Sequence, residues 1–481
     1  MSPQSDGRFP VVILLRHAAS AGRCISVLQS FGISTQSTNW SAPKCGFAVF
    51  SACLQWRRTA AFGQFSRAHM NSDVFSGPAL PRGFQRLVWS NLLAQMAEQI
   101  ALAATPLAAV FVLGASAAQT GYLQTAQTLP FLCLSLPFGV LADRVSRRGL
   151  MTLSELLRAL ALATLLVCLS TGTVNLMWLS LLSFVAASGT VAYNVAAPSL
   201  IASIVSRRAL SVANGRTELA RSVAYSAGPA LGGLLVGWIG PIWAFGLAAL
   251  LSAGASNLLS RLDEPPRLIA AHGNVLLELR EGARFVMSNP LLRPIMVTAF
   301  FFNIGLFSIY AIYVSYAASW LKLGPSLIGL TMALYGVGMI VGALLAPGIT
   351  RRTSFGMVIG VGPLFAWVAS IAMLLTVVLP SLWLSCLCFF LLGSGPILWV
   401  ISSTTLRQVV TPPGLIGRVS SLIALSTYGA RPIGTLIGAT VAQFYSPRGS
   451  LLIACLAFSI QAIVIFRSPV VRLRRVSDAT H

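Results

Sequence analysis

Apolar stretches of roughly 20 residues, each long enough to cross a bilayer as a helix, follow one another from Leu87 almost to the end of the chain. Short segments between them hold nearly all of the charge. Twelve spans are predicted. The first half has them at about 87–113, 119–141, 149–171, 174–197, 217–238 and 241–262. The second half has them at about 293–318, 324–348, 355–378, 380–405, 419–442 and 448–466. The connecting segments test this count. Those after even-numbered spans, together with the C-terminal tail, carry 19 arginines, whereas those after odd-numbered spans carry only Lys322 and Arg448. One missed or spurious helix would scramble that split. By the positive-inside rule, the arginine-rich side and both termini are cytoplasmic. The expected fold class is an all-α integral membrane protein, with twelve transmembrane helices in two six-helix, pseudo-symmetric halves.

The same pattern divides the chain. Residues 1–83 read as an N-terminal extension, rich in arginine but with only Asp6 and Asp73 as acids up to residue 83. Its apolar run at 11–15 is shorter than a signal-peptide core. It is expected to be disordered or to reflect a start assigned too far upstream of Met70; a basic, acid-poor organellar leader is the other reading. Residues 84–262 form the first half. Residues 263–292 form a cytoplasmic linker, in which Asp263-Glu264-Pro265-Pro266 stops the sixth span. There Val275, Leu279, Ala283 and Val286 recur at helical spacing, with Glu278, Glu281 and Arg284 off that stripe. The spacing predicts an amphipathic surface helix that tethers the halves and ends at Asn289-Pro290. Residues 293–467 form the second half, and 468–481 a basic cytoplasmic tail.

Composition then removes several function classes. Charged residues make up 9% of the chain, against about 25% in a typical soluble domain. The net charge of +22 would suggest nucleic acid in a soluble protein. Here the basic residues sit in inter-span segments and termini, so they report topology, and no nucleic-acid partner is expected. The eight cysteines show no CxxC spacing, and the four histidines (His17, His69, His272 and His481) all lie outside the apolar runs. That argues against a metal site or a histidine proton relay in the membrane; no metal and no cofactor are expected. Lys44 and Lys322 are the only lysines and neither follows glycine, so no Walker A phosphate loop exists. Clustered acids and a nucleophile with its base are also missing, and the chain does not read as an enzyme.

One loop motif occurs twice. Gly139-Val140-Leu141-Ala142-Asp143-Arg144-Val145-Ser146-Arg147-Arg148 links the second and third spans, and a weaker copy runs from Gly342 to Arg352 with Ala346 in place of the acid. Gly228-Pro229-Ala230-Leu231-Gly232-Gly233 in the fifth span is echoed by Pro432-Ile433-Gly434-Thr435-Leu436-Ile437-Gly438 in the eleventh. Two six-helix halves of the same orientation follow the parallel-repeat plan of alternating-access transporters. Over about residues 84–470 the chain resembles the major facilitator superfamily. The Gly139–Arg148 stretch is similar to that family's loop 2–3 signature, and Gly228-Pro229 with Gly232-Gly233 to the fifth-helix signature of its proton-coupled exporters. Glu281-Gly282-Ala283-Arg284-Phe285-Val286 ahead of Asn289-Pro290-Leu291-Leu292-Arg293 resembles the subfamily containing enterobactin exporters and macrolide efflux proteins.

The resemblance implies a secondary active transporter in the bacterial inner membrane. It would export a small amphipathic molecule, drug or siderophore-like, by alternating access driven by the proton gradient. A lipid, lysolipid or other metabolite transporter of the same fold is the alternative. The implied partners are a small-molecule substrate and membrane lipid, with the chain acting as a monomer. It also implies a gating motif of Gly139, Asp143, Arg144, Arg147 and Arg148, in which Asp143 docks near Arg418 when the cytoplasmic side is closed. Asp143 alternatively offsets the neighbouring arginines. Gly139 is expected to admit a close helix neighbour, and Pro229 to break the fifth span.

Charges inside the hydrocarbon are costly, and are usually paired or functional. Six are expected there. Glu155 with Arg158, and Glu218 with Arg221, are three residues apart and suit same-helix structural pairs. Glu98 in the first span and Arg431 in the eleventh lack such partners. Glu98 is the candidate for proton or cationic-substrate binding. Arg431 either neutralises Glu98 or attracts an anionic substrate. The fourth span contains no arginine, unlike that of many proton antiporters. Phe300, Phe301, Phe302, Asn303, Phe307, Tyr310, Tyr313 and Tyr316 crowd the seventh span and suggest an aromatic, weakly polar wall.

Overall fold

A computed structural model describes residues 82–206, 209–264, 275–412, 415–475 and 478. The expected N-terminal extension lies outside the described residues up to residue 81. The described chain is helical throughout. The first half comprises α1 (Arg82–Phe111), α2 (Ala117–Cys133), α3 (Ser135–Arg144), α4 (Arg147–Ser170), α5 (Leu176–Ile204), α6 (Leu210–Trp238) and α7 (Pro241–Ser260). Helix α8 (Val275–Ser288) follows in the linker. The second half comprises α9 (Leu292–Ser319), α10 (Pro325–Arg352), α11 (Phe355–Leu375), α12 (Leu382–Val410), α13 (Ile416–Phe444) and α14 (Pro447–Arg467).

Local sequence explains many of the boundaries. Ser116 opens α2 with a reciprocal capping box to Gln119. Ser146 and Asn175 cap α4 and α5 through their side-chain oxygens. Prolines at the first turn start α7, α10 and α14, where the missing N–H costs nothing. The predicted second span is two helices, α2 and α3, bent by 43°. Pro137 lies four residues after Cys133; its ring crowds that carbonyl and offers no donor, so the helix breaks there. By contrast, α6 runs unbroken through Pro229. The expected break is corrected: one lost hydrogen bond is tolerated because α6 is packed on both flanks, against α1 and α10.

Nine described helices are long and apolar enough to cross a membrane, or ten if α2 and α3 form one span. The remaining two of the twelve expected spans, α6 and α13, are of comparable length but fall short in hydropathy. They carry Arg216, Glu218 and Arg221, and Arg418 and Arg431, respectively. Both lie where the two halves meet. The helix ends also differ from the apolar runs. Arg216, Arg407 and Arg418, expected between spans, are inside α6, α12 and α13.

The halves repeat one another in their packing. The pairs α1·α6, α1·α7, α2·α5, α4·α5 and α4·α7 recur as α9·α13, α9·α14, α10·α12, α11·α12 and α11·α14. Across the boundary, α6 meets α10 and α13 meets α2, which is one contact seen from each half in turn. The glycine-bearing α6 and α13 are thus both crossing elements.

Linker helix α8 docks on α13 and α9. Val286 is buried with Leu292, Val419 and Ile423, and a Cβ on Gly282 would come within 3.0 Å of the Arg418 carbonyl oxygen. Glu281 forms an ion pair with Arg418. The side chains of Val275, Glu278 and Leu279 lie outside the described residues. The linker's first turn is pinned elsewhere. Glu264 accepts hydrogen bonds from Ser146 Oγ (2.5 Å) and from the backbone N–H groups of Arg147 and Arg148 (3.1 Å each), capping α4 at its positive end.

Candidate functional site

A cavity of about 730 Å³ lies between the halves. Its wall reaches Pro198, Ile295, Arg407 and Ser420, near the ends of α5, α9, α12 and α13 that carry the arginine-rich segments. At the opposite end the halves close at backbone distance. A Cβ built on Gly233 of α6 would stand 2.6 Å from Gly329 Cα of α10, and one on Gly121 of α2 would stand 2.8 Å from Ala439 Cα of α13. Only glycine permits these approaches. Thr128 and Thr435 share a hydrogen bond across the second contact at 3.3 Å, and Tyr122 bonds Gln443 nearby. One end is therefore open and the other shut.

Glu98, on α1, lines the cavity. Its carboxyl group makes no hydrogen bond or ion pair among the described residues, and the charges that bear on it most are those of Arg158, Arg431 and Arg221. Arg431 lines the same cavity but is not bonded to Glu98. Its guanidinium carbon sits 4.5 Å from the Tyr428 ring centroid, 4.9 Å from Phe131 and 5.2 Å from Phe307, a three-ring cage. Its Nε is buried without a hydrogen-bond partner.

The two expected couples form, and each also reaches the cavity. Arg158 Nη1 is 3.0 Å from Glu155 Oε1, with side chains 3% and 0% exposed. Arg158 further donates to the Ala94 carbonyl of α1 (3.0 Å) and to Thr190 Oγ1 of α5 (2.6 Å), and Ser252 Oγ of α7 donates to Glu155 (3.1 Å). A guanidinium thus meets α5 from α4, although α5 has no arginine of its own. Arg221 Nη2 lies 2.6 Å from Glu218 Oε1 at a half-exposed position, and the guanidinium is 5.9 Å from the Tyr225 ring centroid. Arg158 and Arg221 both border the cavity.

The signature glycines act as packing surfaces. Gly228 and Gly232 turn toward α1, where added Cβ atoms would fall 2.4 Å from Gln99 Cβ and 3.0 Å from the Ile100 carbonyl oxygen, while Gly233 turns toward α10. The loop motif behaves differently. A Cβ on Gly139 would meet nothing within 4 Å, which corrects the expected close approach. Gly139 lies in α3, beyond the bend and past the cavity-lining part of α2. Arg144 is exposed, Arg148 is half-buried, and Arg147 donates to the Ser199 carbonyl at 3.1 Å. The Asp143 side chain lies outside the described residues, so its docking stays an expectation; Arg418 is engaged by Glu281.

Of the aromatic wall expected on α9, Phe302, Asn303, Phe307 and Tyr310 face the cavity. They share one helical face. Tyr313 and Tyr316 are buried and bonded to Thr331 (2.5 Å) and Thr376 (2.9 Å), and Phe300 with Phe301 packs in a separate apolar cluster. Sequence reasoning missed Gln99, Gln124, Gln127, Tyr335, Trp399 and Arg407 on the wall. The amides carried a signal: Gln99, next to Glu98, and Gln124 with Gln127, three apart, sit in otherwise apolar runs.

Residues 80–480 match the family described as transmembrane secretion effector. The multidrug efflux pump Tap of Mycolicibacterium fortuitum is 26% identical over 76% of this chain and 90% of its own length. The enterobactin exporter EntS of Salmonella choleraesuis is 25% identical over 65% of this chain and 74% of its own. An MFS-type transporter of Sinorhizobium fredii, y4rN, is 28% identical, but the match spans only 60% of that protein's length. Among solved structures, a bacterial homologue of the iron transporter ferroportin superposes with a TM-score of 0.64 at 16% identity, over 81% of this chain and 99% of that one. That likeness concerns the fold. With two halves that repeat one another's packing and together line a cavity, and a family match over residues 80–480, the chain belongs to the transmembrane secretion effectors and is an integral membrane transporter of the major facilitator superfamily, not an enzyme.

Proposed function

We propose that this transporter exports a small amphipathic molecule by alternating access, driven by the proton gradient, with Glu98 carrying the coupled proton. The observation that supports it most is Glu98 itself. A carboxyl group with no bonded partner on a cavity wall is free to load and release a proton as its surroundings change. The cavity is of the size that takes drug-like solutes, about 300–1,000 Å³, and its walls combine aromatic rings with a few polar groups. The similarity to a multidrug efflux pump and to an enterobactin exporter favours the outward direction. In this reading the arginine-rich segments and both termini face the bacterial cytoplasm. The open end is then the substrate's entrance.

The test uses the full chain reconstituted in proteoliposomes. Glu98→Gln should abolish efflux against a substrate gradient and leave downhill exchange of the same substrate intact. Full uphill transport by a well-expressed Glu98→Gln protein would sink the reading.

A further inference from the structure

The charges on the cavity wall do not balance. Arg158 is matched by Glu155, and Arg221 by Glu218. That leaves Glu98, Arg407 and Arg431, none of whose side chains forms a hydrogen bond or ion pair among the described residues. Two guanidiniums therefore share the cavity with one carboxyl group. An unpaired cation in a low-dielectric setting is costly unless an anion meets it.

Arg431 is also fixed in place. Three rings surround it at 4.5–5.2 Å, so the side chain gives up little further freedom when a ligand binds. A carboxylate at this position would have been the simplest way to hold the arginine. Aromatic faces instead hold it and leave its charge available. The two arginines are also ordered along the cavity. Arg407 lies in the last turn of α12, at the open end, and Arg431 lies mid-way along α13, within it. An anion entering from the open end passes Arg407 before reaching Arg431.

We propose that the transported molecule carries an anionic group on an apolar, ring-bearing body, with Arg431 as its anchor and Arg407 as the first contact on entry. The guanidinium takes the anion, and Phe307, Tyr428 and Phe131 offer their remaining edges and faces to the rings. This rests on the cavity being the transport site, and it deepens that reading by naming the charge of the cargo.

The test is equilibrium binding to the full chain in lipid nanodiscs, without any gradient, so that a failure of proton coupling leaves the result untouched. Dansylglycine, dansylamide and dansylcadaverine share one fluorophore and are anionic, neutral and cationic. Dansylglycine should bind saturably and tightest. Arg431→Gln should weaken it at least about tenfold, the scale of one lost charge-assisted hydrogen bond. Arg431→Lys keeps the charge in the cage and should restore much of the preference, which a merely misfolded site would not do. Arg407→Gln should lower the association rate more than it raises the dissociation rate. Dansylcadaverine binding as tightly as dansylglycine, or an unchanged dansylglycine affinity in Arg431→Gln, would overturn the proposal. So would uphill export of dansylcadaverine in preference to dansylglycine, which would leave the transport reading standing.

Discussion

Arg158 ties four helices together: it extends from α4 to α1 and α5, and through Glu155 it engages α7. Removing one member of a buried, hydrogen-bonded ion pair leaves an uncompensated charge, at a cost of about 3–5 kcal/mol. Arg158→Met should therefore lower the unfolding temperature of the purified protein in detergent sharply, and adding Glu155→Gln should recover part of the loss. Equal melting of single and double variants would mean that the hydrogen bonds to α1 and α5, rather than the charge, hold the site. This residue also shows what a sequence can and cannot say. Its three-residue spacing from Glu155 is visible in the chain, because neighbours on a helix face are fixed by the helical period. Its bonds to Ala94 and Thr190 are not, since they depend on how helices cross. Arg407 was hidden for another reason. The apolar run ends near 405, but α12 continues to Val410, carrying a charge expected in a loop onto the cavity wall.

Between helices, contact distance matters more than charge. Gly329 of α10 lies against Gly233 and the Pro229 carbonyl of α6, where an added Cβ would stand 2.5 Å from that oxygen. Gly329→Val should disfavour the closed end by about 1–3 kcal/mol, the usual scale of overpacking. A reporter cysteine at Gln124, in a chain with native cysteines replaced, should then react faster with an impermeant thiol reagent added on the side opposite the arginine-rich segments. An unchanged rate would show that α6 and α10 shift without opening that end. The linker helix makes the same distinction within two adjacent residues. The Glu281–Arg418 pair is 59% and 34% exposed, and Glu281→Gln should change stability by less than about 1 kcal/mol. Gly282 is buried on the Arg418 backbone, and Gly282→Val should loosen α8 measurably in hydrogen exchange. The amphipathic pattern foretold the existence of α8. The docking of its apolar side on α13 needed the second half in place.

At the scale of the whole molecule, the repeat accounts for most of the architecture. Each half supplies one glycine-rich helix, α6 or α13, and one partner for the other half's, α10 or α2. The duplicated loop motif and the duplicated proline-glycine pattern announced this arrangement, while the bend between α2 and α3 was masked by an apolar run that continues across it. If the halves rock, the α2·α13 contact must break once per cycle. The Thr128 and Thr435 hydroxyl oxygens are 3.3 Å apart, so cysteines there fall within reach of a disulfide. Oxidised Thr128→Cys/Thr435→Cys protein should stop transporting, and reductant should restore it; transport by fully crosslinked protein would rule out rocking about this contact. The glycine closures have one more consequence. The shut end is held by close-packed surfaces and two neutral hydrogen bonds, with no formal charge on the residues named at the contact, and dispersion is not screened by ions. The other end bears the arginine-rich segments, with Glu264 and Glu281 among them, and exposed charges weaken over a Debye length of about 10 Å at 0.1 M salt. Salt should therefore leave the shut door in place and act only on the charged mouth.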